Sequence, residues 1–168
     1  GAVYANSGTL KVTDVTASGN KADQGAAFYL SGGTVELKNV TASGNEAKNG
    51  GAIYTATAVT MDGCKIYGNT ATNGGAVYAA GNTLTVTGGE MTGNTASYGG
   101  AVYVNAGNLI ASDSVIGSNH ANNQGGAIYA KTTVEINGGK FNGNTSTDDG
   151  AAFYLNGAKL TVTGTTEM

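Results

Sequence analysis

Four absences narrow what this chain can be. The 168 residues contain no proline, no tryptophan and no arginine, and a single cysteine, Cys64. One cysteine gives neither a disulfide framework nor a thiolate metal cluster. Without arginine the bidentate phosphate fork is missing, and a net charge of −3 gives no electrostatic grip on a polyanion, so nucleic acid is excluded as a partner. No apolar run approaches the ~20 residues that cross a bilayer, which argues against direct membrane insertion. Charged residues make up only 11% of the chain, too few for a disordered polyampholyte or a helical bundle, whereas 29 glycines suit a β-rich chain with many tight turns.

What the chain does have is repetition. Tyr4, Tyr29, Tyr54, Tyr78, Tyr103, Tyr129 and Tyr154 recur every 24 to 26 residues, and Asn20, Asn45, Asn69, Asn94, Asn119 and Asn144 keep the same period. From the first aliphatic of the next segment (Leu10, Val35, Val59, Leu84, Leu109, Val134) to the asparagine is always ten residues. From tyrosine to aliphatic it is five or six, and from asparagine to the next tyrosine nine or ten. A loop absorbs a single insertion and a paired strand does not, so each period holds a rigid strand-turn-strand unit between two tolerant turns.

Within each period three short segments alternate with period two, the signature of strands. Beside each tyrosine, pairs such as Ile53 and Thr55 or Val102 and Val104 point inward. The tyrosine, the alanine two before it and the residue two after it (Asn105, Lys131, Asn156) point outward. The second segment turns pairs such as Leu84 and Val86 inward. In the third the core pairs compensate in volume: Val15 with Ala17, Val40 with Ala42, Cys64 with Ile66, Gly89 with Met91, Ser114 with Ile116, Gly139 with Phe141.

This pattern predicts one all-β domain over residues 1–168, a single-chain parallel β-helix of about seven coils of about 25 residues with three short strands per coil. Parallel crossovers are right-handed in about 98% of cases, which sets the expected hand. Coils stacked about 4.8 Å apart make a rod of roughly 30 Å. Both ends fall inside a repeat, so the piece is expected to come from a longer solenoid, with room for end-to-end or lateral self-association.

The side chains that could carry chemistry are mostly explained by this frame. The asparagines are expected to line a turn, each amide bonded to its neighbour one coil away and tolerating a left-handed backbone. Aligned coils pair Lys11 with Glu36, Lys38 with Asp62, Lys65 with Glu90, Lys21 with Glu46 and Asp23 with Lys48, a solvated, register-setting pattern. Asp148 and Asp149 form an unpaired acidic spot, too few oxygens for calcium. His120 reads as exposed loop and Cys64 as a small core residue. No cofactor is expected. The candidate contact surface is the outward tyrosine ladder, Tyr29, Tyr54, Tyr78, Tyr103 and Tyr129, an aromatic strip with hydroxyl tips facing a protein or a sugar.

Two motifs carry a resemblance. Gly50-Gly51-Ala52-Ile53, Gly74-Gly75-Ala76-Val77, Gly99-Gly100-Ala101-Val102 and Gly125-Gly126-Ala127-Ile128 repeat GGA plus an aliphatic; Phe141-Asn142-Gly143-Asn144 reads FxxN, Ile66, Met91 and Ile116 stand in for the phenylalanine in three other coils, and Ala17 and Ala42 depart from the motif. In both, the chain resembles the repeat region of the polymorphic outer-membrane proteins and related bacterial adhesin-like proteins. The resemblance implies a secreted, autotransporter-like passenger on the bacterial cell surface. Its role would be a non-enzymatic adhesin or adhesin stalk meeting a host or neighbouring cell-surface protein or glycan. The alternative is a polysaccharide-binding or polysaccharide-degrading β-helix protein, which would need clustered acids in a cleft walled by long turns.

Overall fold

A computed structural model describes all of residues 1–168, and it is a parallel β-helix. The first sheet has seven strands, one per coil: Val3–Ala5, Phe28–Leu30, Ile53–Thr55, Val77–Ala79, Val102–Val104, Ile128–Ala130 and Phe153–Leu155. All are parallel, and the register places tyrosine on tyrosine at every step. The second and third segments of each coil join into one bent sheet, because Asn108–Gly117 runs unbroken through the corner between them.

A further line of pairing follows each ladder asparagine, where the sequence suggests only a tolerant turn. Thr95–Tyr98, His120–Gln124 and Thr145–Ser146 form a three-stranded sheet. Single parallel bridges, Lys21 to Glu46, Glu46 to Thr70 and Thr70 to Thr95, continue it through the earlier coils. His120 therefore belongs to a strand and is half-buried, its Nδ1 2.9 Å from Thr145 Oγ1. The expectation of an exposed loop there is corrected.

The inward aliphatics fill the axis. Val35, Val59, Leu84, Leu109 and Val134 are buried, as are Leu37, Met61, Ile53, Ile66, Ile116 and Ile128 in the same core. Burying a side chain of this size stabilises the fold by about 1.5–3 kcal/mol. Truncating a central one, as in Leu84→Ala, costs about 2–5 kcal/mol once the cavity is included.

The alanine two before each tyrosine departs from the expected pattern. Ala27, Ala52, Ala76, Ala101 and Ala127 are fully buried rather than outward. Alternation holds only inside a strand, and each strand begins one residue later, at Phe28, Ile53, Val77, Val102 and Ile128. The alanine sits in the corner, where the backbone turns it inward.

The GGA motif is the chemistry of that corner. Gly50, Gly74, Gly99 and Gly125 have φ of 62°, 64°, 63° and 72°, the left-handed region that glycine enters without steric cost. At the next position a Cβ on Gly51, Gly75, Gly100 or Gly126 would lie 2.2, 2.3, 2.1 or 2.2 Å from a carbonyl oxygen one coil on, so only glycine lets the coils close.

Volume compensation in the third segment has a second cause. Gly89 and Gly139 have φ of 72° and 109°, and a Cβ there would meet Cys64 and Ser114 carbonyls at 2.3 and 2.4 Å. Both glycines are required by the backbone of their corners as well as by the volume of Met91 and Phe141.

Candidate functional site

The asparagine ladder forms as expected and is saturated. Nδ2 of Asn20, Asn45, Asn69, Asn94 and Asn119 donates to Oδ1 of the asparagine one coil on at 3.0, 2.9, 2.9, 3.0 and 3.0 Å. The backbone N–H of each donates to that same oxygen. The second amide hydrogen goes to a core-strand carbonyl one coil back: Ala17 for Asn45, Ala42 for Asn69, Ile66 for Asn94, Met91 for Asn119 and Ile116 for Asn144. From Asn45 to Asn144 the side chains are buried, and buried amides persist only when so paired.

The left-handed residue of this turn is not the asparagine but the one before it. Gly19, Gly44, Gly68, Gly93, Ser118 and Gly143 all have positive φ.

The charges form a lattice on the remaining sides. Lys11–Glu36, Lys21–Glu46, Lys38–Asp62 and Asp23–Lys48 are ion pairs at 2.9, 2.7, 3.7 and 3.1 Å, joined by Lys140–Glu167 at 3.3 Å. Lys65 and Glu90 are register partners whose charged ends do not meet. A shallow groove of about 350 Å³ is lined by Lys21, Asp23, Glu46, Lys48, Thr70 and Thr72, its carboxylates already held by its lysines. Asp148 and Asp149 are exposed. Cys64 is buried, its Sγ 3.3 Å from the Leu37 carbonyl oxygen, and burial pushes its thiol up, away from the reactive thiolate.

The tyrosine side is built differently. Successive rings from Tyr4 to Tyr154 stack with centroids 5.3, 4.9, 5.4, 5.1, 4.7 and 5.2 Å apart and interplanar angles of 6–22°. Nearly parallel rings this close are too near to lie edge to edge, so their faces overlap in the offset arrangement that the ring quadrupole favours. Faces are consumed within the stack. What the side presents outward is ring edges and hydroxyls.

Exposure along the strip is graded. Tyr4 is 62% exposed, Tyr29, Tyr54 and Tyr78 are half-buried, and Tyr103 and Tyr129 are only 8% and 7% exposed. Three side chains cover the last two. Tyr98, from the neighbouring sheet, meets Tyr129 edge-on at 5.6 Å; the Lys131 ammonium sits 5.4 Å from the Tyr103 centroid; Asn156 Nδ2 donates to the Tyr129 hydroxyl at 2.9 Å. Tyr98 is the residue that sequence reasoning missed, and its one signal was a tyrosine outside the ladder. Burial, reinforced by Tyr29, raises the Tyr54 hydroxyl above its ordinary pKa, and burial with Tyr103 does the same for Tyr78.

Stacked parallel coils, an internal asparagine spine and an external aromatic column define a single-chain β-helix. Residues 1–166 match the family model of the right-handed β-helix region, and the chain belongs to that family. The family's hand is the one that parallel crossovers favour. No curated protein and no solved structure matches the chain.

Proposed function

We propose that this chain is a non-enzymatic segment of a bacterial cell-surface adhesin or its stalk, making contact along its outer sides. The observation that carries the reading is the tyrosine column: seven rings held in register by the first sheet, of which all but Tyr103 and Tyr129 stay partly open. Such strips are rarely exposed on a soluble surface without a partner. The four GGA motifs and the single FxxN of Phe141-Asn142-Gly143-Asn144 support kinship with the polymorphic outer-membrane proteins and a place at the bacterial cell surface.

Ring orientation favours a protein partner over a sugar. A sugar ring stacks on an aromatic face, and here the faces are taken by neighbouring tyrosines, whereas edges and hydroxyls suit the polar-tipped aromatic contacts of protein interfaces. For polysaccharide cleavage, paired carboxylates would have to act as acid and base, and those in the groove are neutralised by lysines at 2.7 and 3.1 Å.

The test is binding of the purified chain to cultured host cells and to a glycan array, beside a Tyr29→Ser/Tyr54→Ser/Tyr78→Ser variant shown by circular dichroism to stay folded. Cell binding that the variant loses supports the reading. Binding kept by the variant moves the contact off this strip, and selective glycan binding by both proteins favours the polysaccharide alternative.

A further inference from the structure

We infer that the tyrosine side pairs with the tyrosine side of a second copy of this chain, side by side and antiparallel. This deepens the proposed contact role and rests on the same strip. The first observation is where charge is absent. Of 8 lysines and 11 acidic residues, Lys131 alone falls in the segments that build this side, residues 1–7, 25–33, 50–58, 74–82, 99–107, 125–132 and 150–157. On every other side, exposed charges oppose close approach of a like surface. The tyrosine side has no such guard.

The second observation is spacing. Over the first four coils, where Tyr4, Tyr29, Tyr54 and Tyr78 stay partly open, the stacked rings carry their hydroxyls along the rod with a 4.9–5.4 Å period, and a hydroxyl both donates and accepts. A ladder of that period is matched rung for rung by another ladder of the same period, which a second copy supplies. Two-fold pairing of one patch with itself is also the commonest way proteins self-associate.

Lys131 sets the orientation. In a parallel pair the two ammonium groups would lie together, whereas an antiparallel pair carries them to opposite ends, far from each other. An open strip about 20 Å long and about 10 Å wide buries a few hundred Å² in total, so the contact is weak and reversible and strengthens with each added open coil.

The experiment is sedimentation velocity of the chain from about 20 µM to about 1 mM, beside a Ser31→Lys/Ala56→Lys/Ala80→Lys variant. Those positions lie two residues after Tyr29, Tyr54 and Tyr78, the place that Lys131 holds relative to Tyr129, so the fold already accommodates lysine there. The expected result is an apparent mass that rises from 16.5 kDa towards twice that value in the parent. Association by the variant should be at least about tenfold weaker, because like charges now face each other. Added salt should leave the parent's association intact, since no ion pair crosses the contact. A parent that stays monomeric, a variant that associates as well as the parent, or association abolished by salt overturns the inference. Because no cell or glycan takes part, this result can fail while cell binding succeeds, and the reverse.

Discussion

Removing one rung from the middle of the asparagine spine should cost far more than removing one from its end. Asn94 is fully buried and makes four side-chain hydrogen bonds: Nδ2 to Asn119 Oδ1 and to the Ile66 carbonyl, and Oδ1 from both the backbone N–H and the Nδ2 of Asn69. In Asn94→Ala, Asn119 Oδ1 keeps the Asn94 backbone N–H and Asn69 Nδ2 keeps the Ala42 and Tyr67 carbonyls, but the buried Asn69 N–H is left without an acceptor and three further side-chain bonds of Asn94 are lost. One stranded N–H at about 1–3 kcal/mol, with three further bonds lost at about 0.5–1.5 kcal/mol each, gives a loss of about 3 kcal/mol or more. Asn20→Ala removes a half-buried side chain that donates once, to Asn45 Oδ1, and should cost about 1 kcal/mol. At about 2–4 °C per kcal/mol for a chain of this size, the melting temperature should fall by about 6–12 °C for Asn94→Ala and about 2–4 °C for Asn20→Ala. Asn94→Asp should be no better than alanine, since a carboxylate would face the Asn119 oxygen and the Ile66 carbonyl with nothing to donate. Thermal melts followed by circular dichroism decide the matter. Equal losses at the two sites, or an Asn94→Ala melt matching the parent, would refute the argument that the spine is a continuous, saturated chain.

Three more outcomes are expected. Gly100→Ala places a Cβ 2.1 Å from the Gly126 carbonyl oxygen and should cost about 3 kcal/mol or more, whereas Gly93→Ala, with φ +61° and nothing within 4 Å, should cost about 1 kcal/mol; urea titrations of both compare the two. Ser118 is the one non-glycine at a turn position held elsewhere by glycine, with φ 53°, so Ser118→Gly should stabilise the rod by about 0.5–1 kcal/mol and raise its melting temperature. Tyr54 and Tyr78 ionise at higher pH in the folded chain than in the unfolded one. Their contribution is therefore complete below the ordinary tyrosine value of 10.0 and is lost as pH rises through their raised folded values. Urea midpoints from pH 8 upward should hold steady and then drop, and Tyr54→Phe/Tyr78→Phe should shrink the drop.

Periodic features were legible in the sequence because each residue's partner is its own counterpart one coil away. The asparagine bonds, the inward line from Val35 to Val134 and four of five proposed ion pairs follow from alignment alone. Lys65 and Glu90 mark the limit, since adjacent register does not oblige long side chains to meet. Corners were harder to read, because one left-handed residue resets which way the next side chain faces. That is why Ala52 and its equivalents are inside and why Gly93, rather than Asn94, turns the chain. The uneven exposure of the tyrosines was not legible, because Tyr98, Lys131 and Asn156 reach across the strip only in particular coils.

The asparagine-to-asparagine bonds all run one way, each amide oxygen facing the N-terminal end of the rod and one amide hydrogen donating towards the C-terminal end. Amide dipoles aligned head to tail add and polarise one another, whereas the sheets around them contribute little net dipole. The rod therefore has an electrical polarity, positive towards the C-terminal end, set by a row of uncharged side chains in its interior. Two such rods lying antiparallel would have these fields opposed, the lower-energy arrangement of side-by-side dipoles.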